Sequence, residues 1–237
     1  MNTGDTAFMM ICAALVFFMT PGLAFFYGGL VRRKNVCNTI MACVAIMGLS
    51  VVMWTLFGYS LSFGGNHAGI IGDFRWFGLN GVGMEAGPYA DSIPHLVFCA
   101  FQMMFAMITP ALITGSLVGR MKFKALFLFV AIWSVIVYYP MAHMVWGDGG
   151  FLAAIGSVDF AGGDVVHISS GISALVLAII LGRRRGYEHT TYRIHNIPSV
   201  VLGASLLWFG WFGFNAGSAL KADGLAAHSF MTSATDC

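Results

Sequence analysis

Residues 143–171 read HMVWGDGGFLAAIGSVDFAGGDVVHISSG. Upstream of the joint, residues 125–147 carry no Asp, Glu, Lys or Arg and end in Trp146-Gly147. A glycine-rich segment with Asp148, Asp159 and Asp164 follows, and a second uncharged run, residues 165–182, carries His167 in its first turn. A membrane span needs about 20 mostly apolar residues, so the two runs read as helices crossing an apolar layer. The joint between them gathers an aromatic ring, acids and a histidine at the mouth of one such helix.

Composition extends this reading to the whole chain. Of 237 residues, 58% are hydrophobic and only 9% charged, and the mean hydropathy is +0.81. A water-soluble domain would carry roughly a quarter charged residues to cover its surface, so lipid is the expected solvent. Six runs lack Asp, Glu, Lys and Arg: residues 6–31, 36–72, 92–119, 125–147, 165–182 and 194–220. The fifth is the shortest, and Gly162 and Gly163 can extend it. A seventh run, 224–235, is too short to cross alone and reads as the start of a helix cut off by the end of the sequence. None of the runs alternates strictly and the loops are short, which favours helices over barrel strands. The expected fold is an all-α polytopic membrane protein.

Ten of the twelve Lys and Arg residues fall in three loops that alternation of the spans places on one side. They are Arg32, Arg33, Lys34, Arg120, Lys122, Lys124, Arg183, Arg184, Arg185 and Arg193. That side is expected to be cytoplasmic, in a cell membrane, with the N-terminus outside. No charged segment precedes the first run, which therefore reads as a helix rather than a cleaved signal. The cysteines at 12, 37, 43, 99 and 237 show no metal-ligand spacing and read as free thiols. Hydrolase and nucleotide-binding motifs are absent, and no enzyme activity, cofactor, metal or nucleic-acid partner is expected.

Pro21 lies inside the first run, where it frees a carbonyl that lipid would not satisfy, so this helix belongs inside a bundle with Gly22, Gly28 and Gly29 admitting close neighbours. In the third run Phe101 and Phe105 share a helical face, a spacing that serves core packing as readily as a site, and Gln102 is one of few strongly polar side chains. His143 and Trp146 share a face of the fourth run. Trp146, Trp76 and Phe77 read equally as residues of an interfacial aromatic belt. His95, His143 and His228 are expected in structural hydrogen bonds; His67, His189 and His195 fall at loops or boundaries. Taken alone, the grouping of Trp146, Asp159 and His167 suits a place where a small cation loses water and enters an apolar path.

Five separated motifs carry a resemblance: FYGGLVRRKN, FQMMFAMITPALI, HMVWG, DFAGGDVVHISSG and WFGFNAGS. Together they make the chain similar to the N-terminal part of an ammonium transporter of the Amt/Mep/Rh family, prokaryotic Amt branch. The resemblance implies an eleven-helix fold of two inverted five-helix repeats plus a final helix, assembled as a homotrimer. Residues 1–193 would form the first repeat and 194–237 the start of the second, truncated. It further implies that Phe101, Phe105, Trp146 and Ser218 form an outer ammonium recruitment site. Phe105 and Phe214 would form a stacked gate beneath it, with His167 as the upper pore histidine and Asp159 the acidic residue behind the site. A second pore histidine would lie beyond Cys237.

Such chemistry fits these residue types. An aromatic face attracts a cation by about 0.5–2 kcal/mol, and Ser218 can accept from an ammonium N–H. Asp159, near a helix start, can accept backbone N–H groups and offset the positive helix end. His167 can pass a proton along a histidine pair, so ammonium crosses as ammonia plus a relayed proton rather than as a desolvated ion. The family also includes sensing members, and a PII-type signalling protein is a possible partner at the cytoplasmic face. The 237-residue chain by itself is expected not to conduct, with Asn215, Gln102 and His167 left facing lipid or chance neighbours.

Overall fold

The computed structural model describes residues 1–184, 187 and 193–235. Arg185, His189 and Cys237 lie outside them. Among the described residues six helical segments are long and apolar enough to cross a membrane. They are α1 (Thr3–Leu30), α2 (Arg33–Phe63), α3 (His95–Leu117), α4 (residues 123–146), α5 (Gly163–Leu181) and α6 (Ile197–Gly217). A twelve-residue helix, α7 (Gly224–Thr235), follows. Leu128, Ile132 and Ile136, spaced four apart on α4, are 62%, 50% and 67% exposed. Water would penalise such a stripe, whereas lipid is its natural surrounding. The chain is a multi-pass membrane protein.

Helix ends follow local chemistry. Asn2 caps α1 by accepting the Gly4 N–H at 2.8 Å, and Asn196 caps α6 by accepting the Ser199 N–H at 3.1 Å, with Pro198 in the first turn. Three helices contain a widened π turn: Trp54–Gly58 in α2, Ser134–Tyr138 in α4 and Gly163–Ile168 in α5. The first two help α2 and α4 meet, with the Tyr139 ring seated where a Cβ on Gly58 would be.

The deepest packing joins α1 to α6, antiparallel along their lengths. A Cβ on Gly29 would sit 2.7 Å from the Asn196 carbonyl, one on Gly22 2.9 Å from Leu206 Cβ, and one on Gly213 2.7 Å from Leu15 Cβ. Small residues let the two backbones approach closely, as helix association in lipid requires. α1 runs unbroken through Pro21. Asn215, expected to face lipid or chance neighbours, instead donates from Nδ2 to Ser233 Oγ at 2.9 Å, and Trp208 Nε1 donates to the Ser233 carbonyl at 3.0 Å. Both bonds tie α7 to α6.

The segment after α2 differs from its sequence pattern. The uncharged run to residue 72 stops being helical at Phe63, because Gly64, Gly65, Asn66 and Gly69 favour turns. It forms two small antiparallel hairpins, β1 (Asn66–His67) with β2 (Ile71–Gly72), and β3 (Ala86–Gly87) with β4 (Ala90–Pro94). Asp73 clasps the first. Its Oδ1 accepts N–H groups of Gly65 at 2.9 Å and Arg75 at 3.0 Å, and its Oδ2 lies 3.1 Å from Arg75 Nε. Burial alone would raise this carboxyl, but the backbone donors and the guanidinium outweigh it and hold it below its ordinary value. His143 is fully buried, with Nδ1 3.1 Å from the Ser62 carbonyl and Nε2 3.3 Å from Asn66 Oδ1. His95 Nε2 lies 2.5 Å from the Tyr59 hydroxyl.

Candidate functional site: two concavities divided by an aromatic pair

α3 places Phe98, Gln102 and Phe105 on one face, at successive helical turns. With Trp146 at the end of α4, Ser218 at the end of α6 and Asp159 in the joint before α5, they line a first concavity of about 390 Å³. A second concavity of about 610 Å³ opens near the other ends of the helices and includes Tyr27, Leu112, His167, Ser170 and Arg184 in its wall. Between them lies a file of rings. Centroid separations run 5.9 Å from Trp146 to Phe105, 4.5 Å from Phe105 to Phe214, and 6.1 Å from Phe214 to His167. Phe105 and Phe214 are each 1% exposed, so the pair closes the space between the concavities. Their planes meet at 43°.

Asp159 organises the outer side. Its Oδ1 accepts the N–H groups of Gly162 at 2.5 Å and Gly163 at 2.8 Å; its Oδ2 accepts those of Asp164 at 2.8 Å and Val165 at 3.0 Å. Four donors that begin α5 are thereby satisfied by one carboxylate. The geometry needs Gly162, whose φ of 105° is the left-handed conformation that glycine adopts freely. The Asp159 carbonyl in turn accepts the Trp146 indole N–H at 2.9 Å, fixing that ring. One residue thus sets both the start of α5 and the aromatic face at the mouth.

Ser218 Oγ donates its proton to the Phe214 carbonyl at 2.9 Å. Its lone pairs remain acceptors, the polarity a cation with N–H groups requires. His167 is exposed on α5, its ring stacked on Trp211 at 6.0 Å and 19°. Phe101 departs from expectation, because it is not in the cavity wall. Its ring packs edge-on behind Phe105 at 4.9 Å and fills the space beside Gly217, being one residue short of the face defined by Gln102.

Seven lining residues went unassigned from sequence: Phe63, Tyr89, Phe98, Gln102, Val145, Phe160 and Leu220. Gln102, expected to face lipid or chance neighbours in the isolated chain, is 9% exposed and lines this concavity. The four-residue spacing from Phe98 to Gln102 was the available signal. Tyr89 and Phe160 gave none, being loop aromatics. Tyr89 stacks on Phe98 at 5.2 Å and 6°, donates to the Phe63 carbonyl at 2.8 Å and accepts the Asp148 N–H at 3.2 Å. Burial raises its phenol above the ordinary value.

The spanning helices thus hold two concavities with an aromatic pair between them. The chain belongs to the Ammonium Transporter Family, whose model matches residues 7–237. It is 51% identical over 235 residues to an ammonium transporter of Bacillus subtilis, covering 99% of this chain and 57% of that protein. Its backbone is similar to that of Mep2 from Saccharomyces cerevisiae, with a TM-score of 0.85 at 35% identity, over 98% of this chain and 54% of that one. A structure described as a sensor Amt protein also aligns, with a TM-score of 0.85 at 30% identity, over 97% of this chain and 58% of that one. The chain therefore spans little more than half the length of the relatives it matches.

Proposed function

We propose that this chain forms one wall of an ammonium pathway. The observation that carries the proposal is the file of rings from Trp146 to His167 with a concavity on each side. Ammonium is recruited between the Trp146 face and the Ser218 lone pairs, with Phe105 beneath and Phe101 bracing it. The closed Phe105–Phe214 pair admits ammonia more readily than a hydrated ion, since bare charge is costly in an apolar passage. His167 then takes part in moving the proton, and the same proposal assigns a second histidine, outside residues 1–237, as its partner. Asp159 acts by holding α5 and Trp146 and by offsetting the positive end of α5, not by touching ammonium.

The antiparallel seam between α1 and α6 supports reading residues 1–193 as one five-helix repeat and 194–237 as the start of an inverted second. The basic loops at one end support a cell-membrane protein with its N-terminus outside. Trimeric assembly and a PII-type partner on the basic face belong to the same proposal.

The test is the full-length protein in liposomes under an ammonium gradient, with internal pH or current as readout. A saturable signal with ammonium, absent with potassium at equal concentration, is expected. Ammonium binding without any flux would replace transport by sensing.

A further inference from the structure

Gln102 lines the first concavity, yet the proposed pathway gives it no task. It is 9% exposed, and its side-chain amide finds no hydrogen-bond partner among the described residues. Polar groups buried to this degree are ordinarily paired, and leaving one unpaired costs free energy. Other polar side chains of the same wall are already engaged. The Tyr89 hydroxyl donates to the Phe63 carbonyl and accepts from Asp148, and the Trp146 indole donates to the Asp159 carbonyl. Each carboxylate oxygen of Asp159 holds two backbone N–H groups. Ser218 keeps acceptor capacity after donating to Phe214. Among the lining side chains, Ser218 and Gln102 are thus the acceptors with room for a new donor.

Packing sets these two at one level. The Phe101 ring lies 2.7 Å from where a Cβ on Gly217 would be, and the Phe105 and Phe214 centroids are 4.5 Å apart. α3 and α6 therefore run antiparallel here, with Phe101 beside Gly217 and Phe105 beside Phe214. Gln102 lies one helical turn before Phe105, and Ser218 one turn after Phe214, so both stand on the first-concavity side of the ring pair. Two acceptors carried on separate helices suit a donor whose N–H groups diverge.

We propose that Gln102 is a specificity-determining residue of this concavity: its amide oxygen accepts a second N–H from a cation whose first N–H goes to Ser218. The ligand class is small ammonium cations with at least two N–H donors, which are ammonium and its monomethyl and dimethyl derivatives. The terminal torsion of a glutamine is soft, so the amide turns its oxygen toward a cation at little cost. A neutral acceptor adds direction without a second full charge that would hold the cation in place. This role rests on the reading that ammonium enters by this concavity.

The test uses the full-length protein with ammonium, methylammonium, dimethylammonium and trimethylammonium, which carry four, three, two and one N–H groups. Binding is measured by calorimetry in detergent, and inhibition of labelled methylammonium uptake is measured separately in liposomes. Binding without flux would refute transport and still decide the role of Gln102; no ammonium binding at all overturns both. Gln102→Met keeps the side-chain length and removes the amide, and Gln102→Leu is made beside it, with assembly checked by size exclusion. Methylation also enlarges the cation, but size acts on both proteins alike, so the ratio of variant to unsubstituted dissociation constants isolates the acceptor. That ratio is expected to be roughly tenfold for the first three cations and close to one for trimethylammonium, whose single N–H goes to Ser218. In uptake the loss appears in KM with Vmax little changed, because the interaction forms on binding. An equal ratio for all four cations, or a ratio near one for ammonium, overturns the proposal. If neither variant assembles, the unsubstituted protein decides. Its affinity must then fall more from dimethylammonium to trimethylammonium than from methylammonium to dimethylammonium, and equal steps overturn the proposal as well.

Discussion

At the scale of single residues, the outer site rests on two side chains with different jobs. Trp146 offers a face, and its indole N–H is already engaged by the Asp159 carbonyl, so the ring is oriented before any cation arrives. Trp146→Leu removes the cation–π contribution of about 0.5–2 kcal/mol. Selection for ammonium over potassium should fall by roughly twofold to thirtyfold, read by methylammonium uptake under competition in the full-length protein. Unchanged competition would return Trp146 to the interfacial belt. Asp159→Ala leaves four N–H groups at the start of α5 without their acceptor, a loss of several kcal/mol. Activity should vanish, while Asp159→Glu keeps part of it because a longer carboxylate recovers part of the cap. Size-exclusion profiles separate lost assembly from lost conduction, and a well-assembled, active Ala variant would sink the capping account.

Helices and loops fail in other ways. The α1–α6 seam depends on the absence of side chains, so Gly22→Val drives a branched group into Leu206 and the Gly203 carbonyl. Overpacking of this kind costs about 1–3 kcal/mol or more, and the apparent melting temperature in detergent should drop by several degrees. Gly48→Ala is the control, since nothing lies within 4 Å of its added carbon, and its melting temperature should hold or rise slightly. The hairpin held by Asp73 responds to pH. Its carboxyl is depressed in the folded state, so the clasp stabilises fully above the ordinary value of 3.8 and weakens as pH falls below it. Proteolysis within residues 64–94 by an acid-active protease should therefore rise as pH falls from about 4 to about 2, and Asp73→Asn should remove that dependence. A flat profile in the unsubstituted protein would refute the clasp.

Across the whole molecule, one wall of the proposed pathway is open. Apolar residues of α5 such as Ile172 and Ile179, 58% and 71% exposed, are at ease in lipid, but the exposed His167 among them is not. Residues 1–237 alone, reconstituted in liposomes, are expected to give no saturable ammonium signal, although α7 and the α6 bonds to it leave less exposed polarity than the sequence implied. A signal at rates near those of the full-length protein would show that the described helices suffice.

By itself, the sequence determined the spans, the basic face and the residues that matched motifs, because these depend on lengths, charges and local order along the chain. Asp159 as a helix cap was legible for the same reason, its donors lying within six residues. What only the tertiary structure decided are relations between distant segments. Phe101 falls behind Phe105 while Gln102 faces the cavity; spacing along α3 separates their faces, but only packing against α6 decides which face meets the cavity. Tyr89 reaches the outer site because the hairpin loop folds back over α3, and Asn215 finds Ser233 because α7 lies along α6. The basic residues were visible as three loops, but the convergence of some of them in one depression depends on where the ends of α1, α3 and α5 meet. Periodicity records which way a side chain points from its own helix; only packing settles what stands opposite.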